Sequence, residues 1–191
     1  MHNISGNALA KLIPLLRNSK IDYPITLGIL DGTFTGHALV DDTSDPTKAF
    51  VIHKHIGFLQ YMGNEPNSGE AAEIALAALD YKSDRSYCNW VEVACCPEAV
   101  AEIIKAEYPD MQSFHRISWD HSPDFLENAP PPILPDGCTA TFLNKKLFKT
   151  EFIRYETEMF WDSFNILLEK AFGNVVLDKN GDLLGVCGAV S

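Results

Sequence analysis

The chain has 191 residues, 46% of them hydrophobic and 21% charged, with a formal net charge of −11. The length suits one domain or two small ones packed together, and the composition is that of an ordinary water-soluble fold. Such an acidic balance lacks the basic footprint that nucleic acids and anionic membranes require, and no run approaches the roughly 18 apolar residues of a membrane span. The scattered carboxylates read as a solvated acidic surface.

The first stretch, MHNISGNALAKLIPLLRNSK, has a helical pattern. Leu9, Leu12, Ile13 and Leu16 recur at helical spacing over residues 5–18, and Pro14 predicts a bend or restart. No basic segment precedes the apolar stretch, so a signal peptide is not expected. Next, PITLGILDGTFTGHALVDD reads as strand, Asp31-Gly32 turn and strand. KAFVIHK and GFLQYMG read as two more strands, so residues 24–63 are expected to form an antiparallel meander. Asn67 or Ser68 can cap the Ala-rich helix EAAEIALAALDYK. CNWVEVACC reads as a strand, and PEAVAEIIKAEY as a helix with proline in its first turn. MQSFHRISWDH alternates as a strand does. APPPILPDG is the clearest linker, extended and polyproline-like.

Beyond the linker, CTATFLN predicts a short strand and KKLFKTEFIRYE a helical or irregular piece. TEMFWDSFNILLEKAF predicts a helix capped by Glu156 or Thr157 and ended by Gly173. Its apolar stripe is Phe160, Phe164, Leu167, Leu168 and Phe172, with Trp161 beside it. A hairpin with an Asn180-Gly181 turn closes the sequence on the apolar run LLGVCGAV. The order of elements is α+β: a mixed, mostly antiparallel sheet flanked by helices. The expected domains are an N-terminal α+β region over 1–125, a proline-rich linker over 126–136, and a second unit over 137–191.

Chemistry is sparse. Cys88, Cys95, Cys96, Cys138 and Cys187 are odd in number, contain no C-x-x-C and sit in or near apolar runs. They read as reduced and mostly buried, which points to the cytoplasm. Cys96 precedes Pro97-Glu98, where a helix N-terminus can lower a thiol pKa, though packing is the plainer role. His53 and His55 share a strand face, but no further ligand follows at metal spacing, so no metal is expected. GNEPNSGE resembles a glycine-rich loop before a helix whose N-terminus holds an anion; a turn and cap is the simpler reading. Asp162 and Glu169 lie two helical turns apart and read as solvated charges rather than an acid/base pair.

The terminal stretch WDSFNILLEKAFGNVVLDKNGDLLGVCGAVS resembles a GNAT-superfamily acetyltransferase subgroup that includes antibiotic-resistance-type N-acetyltransferases. The matching positions are Trp161, Ser163, Leu168, Lys170, Phe172, Gly173, Val186 and Cys187, with Ala171 in place of the usual glycine of K-G-F-G. Upstream, Gly36-His37-Ala38-Leu39-Val40-Asp41-Asp42, Pro46 and Ala49 are similar to the substrate-side region, and Tyr61-Met62-Gly63 fits loosely. The resemblance implies a GNAT-like fold, acetyl-CoA as co-substrate and an amine of a small molecule or peptide as acceptor. It places the backbone of Val186, Cys187, Gly188, Ala189 and Val190 against the pantetheine arm. No residue stands out as the base. The family's pyrophosphate loop, Q/R-x-x-G-x-G/A, follows the next strand and has no counterpart after Ser191. The expectation is therefore the front portion of such a protein, with a GNAT-like fold incomplete at the C-terminus. An uncovered run over 183–190 also suggests homo-oligomers through that strand. The alternative is a non-catalytic GNAT-like binding or assembly module.

Overall fold

The computed structural model describes residues 1–19, 24–80, 91–114, 130, 133–147, 150, 161 and 163–190, without the side chains of 170–172 and 187–190. Five strands form the first sheet: β1 (His2–Ser5), β2 (Gly36–Val40), β3 (Lys48–His53), β4 (Phe58–Gly63) and β5 (Glu92–Ala94), in that order. The first four pair antiparallel, while β5 lies parallel to β4. A parallel pair needs a crossover, and the helix α3 (Ser68–Leu79) lies in the one between β4 and β5.

The pleat of β3 explains the core. Ala49 and Val51 join one apolar cluster, Phe50 and Ile52 the other, and all four are buried. The first face is covered by a 3-10 helix (Gly6–Leu12), α1 (Ile13–Asn18) and α2 (Pro24–Leu30), through Leu9, Leu12, Leu16, Ile29 and Leu30. The second is covered by α3 and α4 (Glu98–Glu107), through Ala71, Ile74, Ala75, Val100 and Ile104. Covering both faces is why the central strands read as continuous apolar runs rather than alternating ones.

A second, antiparallel sheet has the order β6 (Thr139–Phe142), β7 (Ala171–Leu177) and β8 (Leu183–Val190). The helix α5 (Phe164–Lys170) runs straight into β7 with no intervening residue. Trp161, Ile166 and Leu167 pack into the first cluster, between α5 and the five-stranded sheet. The α+β expectation of mostly antiparallel strands flanked by helices holds, with the strands divided between two sheets.

Four local readings change. Residues 24–30 form a helix, not a strand. Ile25 and Ile29, like Thr26 and Leu30, are one helical turn apart, and all four turn toward the core. Gly32, at φ +83°, follows the last turn, where the Asp31 N–H donates to the Leu27 carbonyl at 2.9 Å. A left-handed glycine ends a helix as readily as it turns a hairpin, so the Asp-Gly signal was ambiguous. Gly28 is required here, because a Cβ would lie 2.5 Å from the Phe34 ring. Second, His2–Ser5 is a strand, paired with β2, rather than part of a helix. Third, α5 ends at Lys170, and Gly173 already lies in β7. Fourth, Met111–Phe114 carries no regular structure; the rest of the strand expected there lies outside the described residues. So do Cys88, Glu156, Thr157, Phe160 and Asp162, and most of the 126–136 linker.

Candidate functional site

The strand singled out by sequence, β8, is held by a turn built on one carboxylate. Asp178 accepts from the N–H groups of Asn180 and Asp182, each at 2.8 Å, and from the Asn180 amide at 3.1 Å. Gly181 takes φ +84°, a conformation that suits glycine. Hydrogen bonding, led by the Asp182 N–H, keeps the Asp178 carboxyl below the usual carboxylate range against a smaller opposing effect of burial. From that turn the strand runs back along β7, opposing Val186 to Val175, Cys187 to Asn174, Gly188 to Gly173, Ala189 to Phe172 and Val190 to Ala171. Among the described residues β8 has a strand on one side only. Its other edge presents backbone N–H and C=O groups to whatever lies alongside. The Leu184 and Val186 side chains of β8 are exposed.

The helix leading into this hairpin is capped from within. Ser163 Oγ accepts from the Ile166 N–H at 3.3 Å, the role expected of Glu156 or Thr157. Trp161 is the most buried member of this segment, at 8% exposure. Its ring meets Phe34 edge-on, with centroids 4.8 Å apart. Leu167 packs inward as the stripe predicted, joined by Ile166, which the stripe omitted. Glu169 is exposed.

The other candidates resolve differently. The shared strand face expected of His53 and His55 is not formed: His53 is fully buried at the end of β3 and His55 lies beyond it, and the His53 Nδ1 accepts from the N–H groups of His55 at 3.0 Å and Ile56 at 3.3 Å. Among the described residues no three His, Cys, Asp or Glu side chains gather as a metal site. The glycine-containing loop before α3 closes on itself. Asn67 Oδ1 accepts from the Glu70 N–H at 3.0 Å, and Glu70 Oε2 accepts from the Asn67 N–H at 2.8 Å. This capping box sets a carboxylate where an anion would sit. Lys48 pairs with that same Glu70 at 2.6 Å. Cys96 is half-buried, and burial pushes its thiol up to about 11, the opposite of the activation its position suggested. Cys95 is exposed, contrary to the expectation of mostly buried thiols. Asp41 and Asp42 organise the β2–β3 loop. Asp41 accepts from the Thr47 and Lys48 N–H groups, each at 3.0 Å, and from the Thr47 hydroxyl at 2.6 Å. Asp42 accepts from the N–H groups of Ser44 and Asp45.

One feature escaped sequence reasoning. Gln60, Thr26 and His53 are the buried polar residues among those described. Gln60 Oε1 accepts from the Thr26 hydroxyl, while Nε2 has no hydrogen-bond partner. A glutamine inside GFLQYMG gives no sign of which face it takes until the register is known.

The family model for GNAT acetyltransferases matches residues 14–191. The chain belongs to the GNAT acetyltransferase family. No curated protein matches it. Membership bears on what the site can hold, because GNAT acetyltransferases use acetyl-CoA. The β8 edge that has no partner strand among the described residues carries backbone N–H and C=O groups, the kind an amide-bearing arm can pair with. The α3 N-terminus does not fit a diphosphate, since Glu70 already occupies it. No described helix is long and apolar enough to cross a membrane.

Proposed function

We propose that this GNAT acetyltransferase takes part in acetyl transfer from acetyl-CoA to an amine of a small molecule or peptide. The backbone of Val186 to Val190 lies along the pantetheine arm. The observation that carries this reading is that β8, within the stretch that resembles the family, pairs on one side only among the described residues. Acetyl-CoA supplies an activated thioester carbonyl; the strand's part is to bind and orient the arm by backbone hydrogen bonds. The five-stranded unit, whose α3 terminus is closed to anions, serves as the substrate side and scaffold. In this reading the enzyme works in the cytoplasm, where its thiols remain reduced.

The test is an acetyl-CoA titration followed by backbone amide chemical shifts. Shifts centred on Val186–Val190 are expected, with Phe50–Ile52 of the first sheet unmoved. Saturable binding that leaves 186–190 unmoved would reject the strand as the cofactor contact. No binding at millimolar acetyl-CoA would favour a non-catalytic binding or assembly module.

A further inference from the structure

The first residues of β7 are the ones that pair with the end of β8. Ala171 opposes Val190, and Gly173 opposes Gly188. Those β7 residues continue α5 directly, because the helix ends at Lys170 and the strand starts at Ala171. Whatever fixes α5 therefore fixes 186–190 with no slack between. Along α5, Ile166 and Leu167 are partly buried against the first cluster, while Trp161, just before the helix, enters the cluster itself. Its contact there is the edge-on Phe34 ring, at 4.8 Å and 64°. Phe34 is itself held from both sides. Its ring lies against Gly28 of α2, and its N–H donates to the Gly28 carbonyl at 2.7 Å. His53, at the end of β3, sits 5.5 Å from the same ring. A chain of contacts thus runs from the five-stranded sheet through Phe34 to Trp161, and through Ile166 and Leu167 to α5, which leads into β7 and its partner β8.

We infer that Trp161 is a positioning residue, whose ring on Phe34 sets the place of the 186–190 backbone relative to the five-stranded sheet. The cofactor side of this inference rests on the proposed function; the positioning side does not. An indole buries a large area and holds a defined edge-to-face geometry, so a leucine loses orientation while a phenylalanine retains a ring. Residues in contact are coupled, so removing either ring removes their mutual contact.

The experiment compares Trp161→Leu, Trp161→Phe and Phe34→Leu in the full chain, by amide hydrogen exchange and by acetyl-CoA titration. In Trp161→Leu, exchange over 171–190 should rise roughly tenfold relative to β3 and β4, as local opening predicts, whereas Phe34→Leu, which also loosens the ring's contact with Gly28, should raise it in both sheets. Trp161→Phe, which keeps a ring but loses volume, should fall between the parent and Trp161→Leu. Acetyl-CoA affinity should fall with the same ranking. Equal acceleration in both sheets for Trp161→Leu would mean that Trp161 merely stabilises the core, and would overturn the inference. So would unchanged exchange over 171–190. If the parent binds no acetyl-CoA, the proposed function fails, while the exchange ranking still decides the positioning role.

Discussion

Phe50 of β3 and Phe142 of β6 are the same side chain in strands of two different sheets, at 0% and 72% exposure. The first sheet is sandwiched: two sets of helices cover it, and its central strands are buried on both faces. In the second sheet the one fully buried side chain among those described is Val175, with Leu184 and Val186 left open. The second unit seeks its burial in the core of the first, through Trp161 before α5 and Ile166 and Leu167 on it. The contrast separates two tasks. One unit carries the core, and the other, among the described residues, has a strand paired on one side only.

The largest effect should come from testing that contrast directly. Phe50→Ala removes a fully buried ring and should cost about 3–5 kcal/mol in chemical denaturation. Phe142→Ala should fall within about 0.5 kcal/mol of the parent, as exposed positions do. Similar costs at the two sites would break the comparison, and would mean that β6 is covered in solution.

How much of this was legible in the sequence follows the same division. The strands KAFVIHK and GFLQYMG, and the helices after Asn67 and Pro97, were readable because local pattern and tertiary burial agree there. The segment 24–30 was not, because its Ile-Thr-Leu-Gly-Ile order satisfies alternation as well as helical spacing. What decides it is Phe34, folding back onto Gly28, a contact no periodicity encodes. β1 is too short for a pattern of its own and exists through pairing with β2. At the candidate site, the strand 186–190 and its turn were legible from Asn180-Gly181 and the apolar run. Trp161's partner was not, since Phe34 lies more than a hundred residues upstream.

The buried polar pair sharpens the comparison from inside the first unit. Thr26 lies on α2 and Gln60 on β4, and their hydrogen bond joins helix to sheet. Thr26→Val leaves the Gln60 carbonyl oxygen without that donor and should cost about 1–3 kcal/mol. Adding Gln60→Met removes the stranded amide as well. The double variant should then be more stable than the sum of the two single losses by at least about 1 kcal/mol, read from a double-mutant cycle in urea. Strict additivity would sink the idea that the two side chains form one unit. The second sheet has no comparable pair among its described residues, so the same cycle has no counterpart there.

The smallest effect concerns the turns, where the two units resemble each other. Asp41 closes the β2–β3 loop and Asp178 the β7–β8 turn, and both carboxyls lie below their ordinary pKa. At Asp41 burial opposes the charge, and hydrogen bonds from the Thr47 hydroxyl and the Lys48 and Thr47 N–H groups outweigh it. A carboxyl depressed in the folded state binds its proton more readily when unfolded. Its stabilisation is therefore fully present above the unfolded value of about 3.9 and lost as the pH falls through the lower folded value. Asp178→Asn keeps an acceptor oxygen for the Asn180 and Asp182 N–H groups and removes the titration. Amide exchange at Asn180 and Asp182, followed into the acid range and referred to an unfolded peptide, should lose its acid-side acceleration in this variant. The Thr47 and Lys48 amides, held by Asp41, should keep theirs. If both loops still loosened together on acidification, the turns would be following global unfolding rather than their own carboxylates. The β8 edge would then owe its order to α5 and Trp161 instead of to the turn.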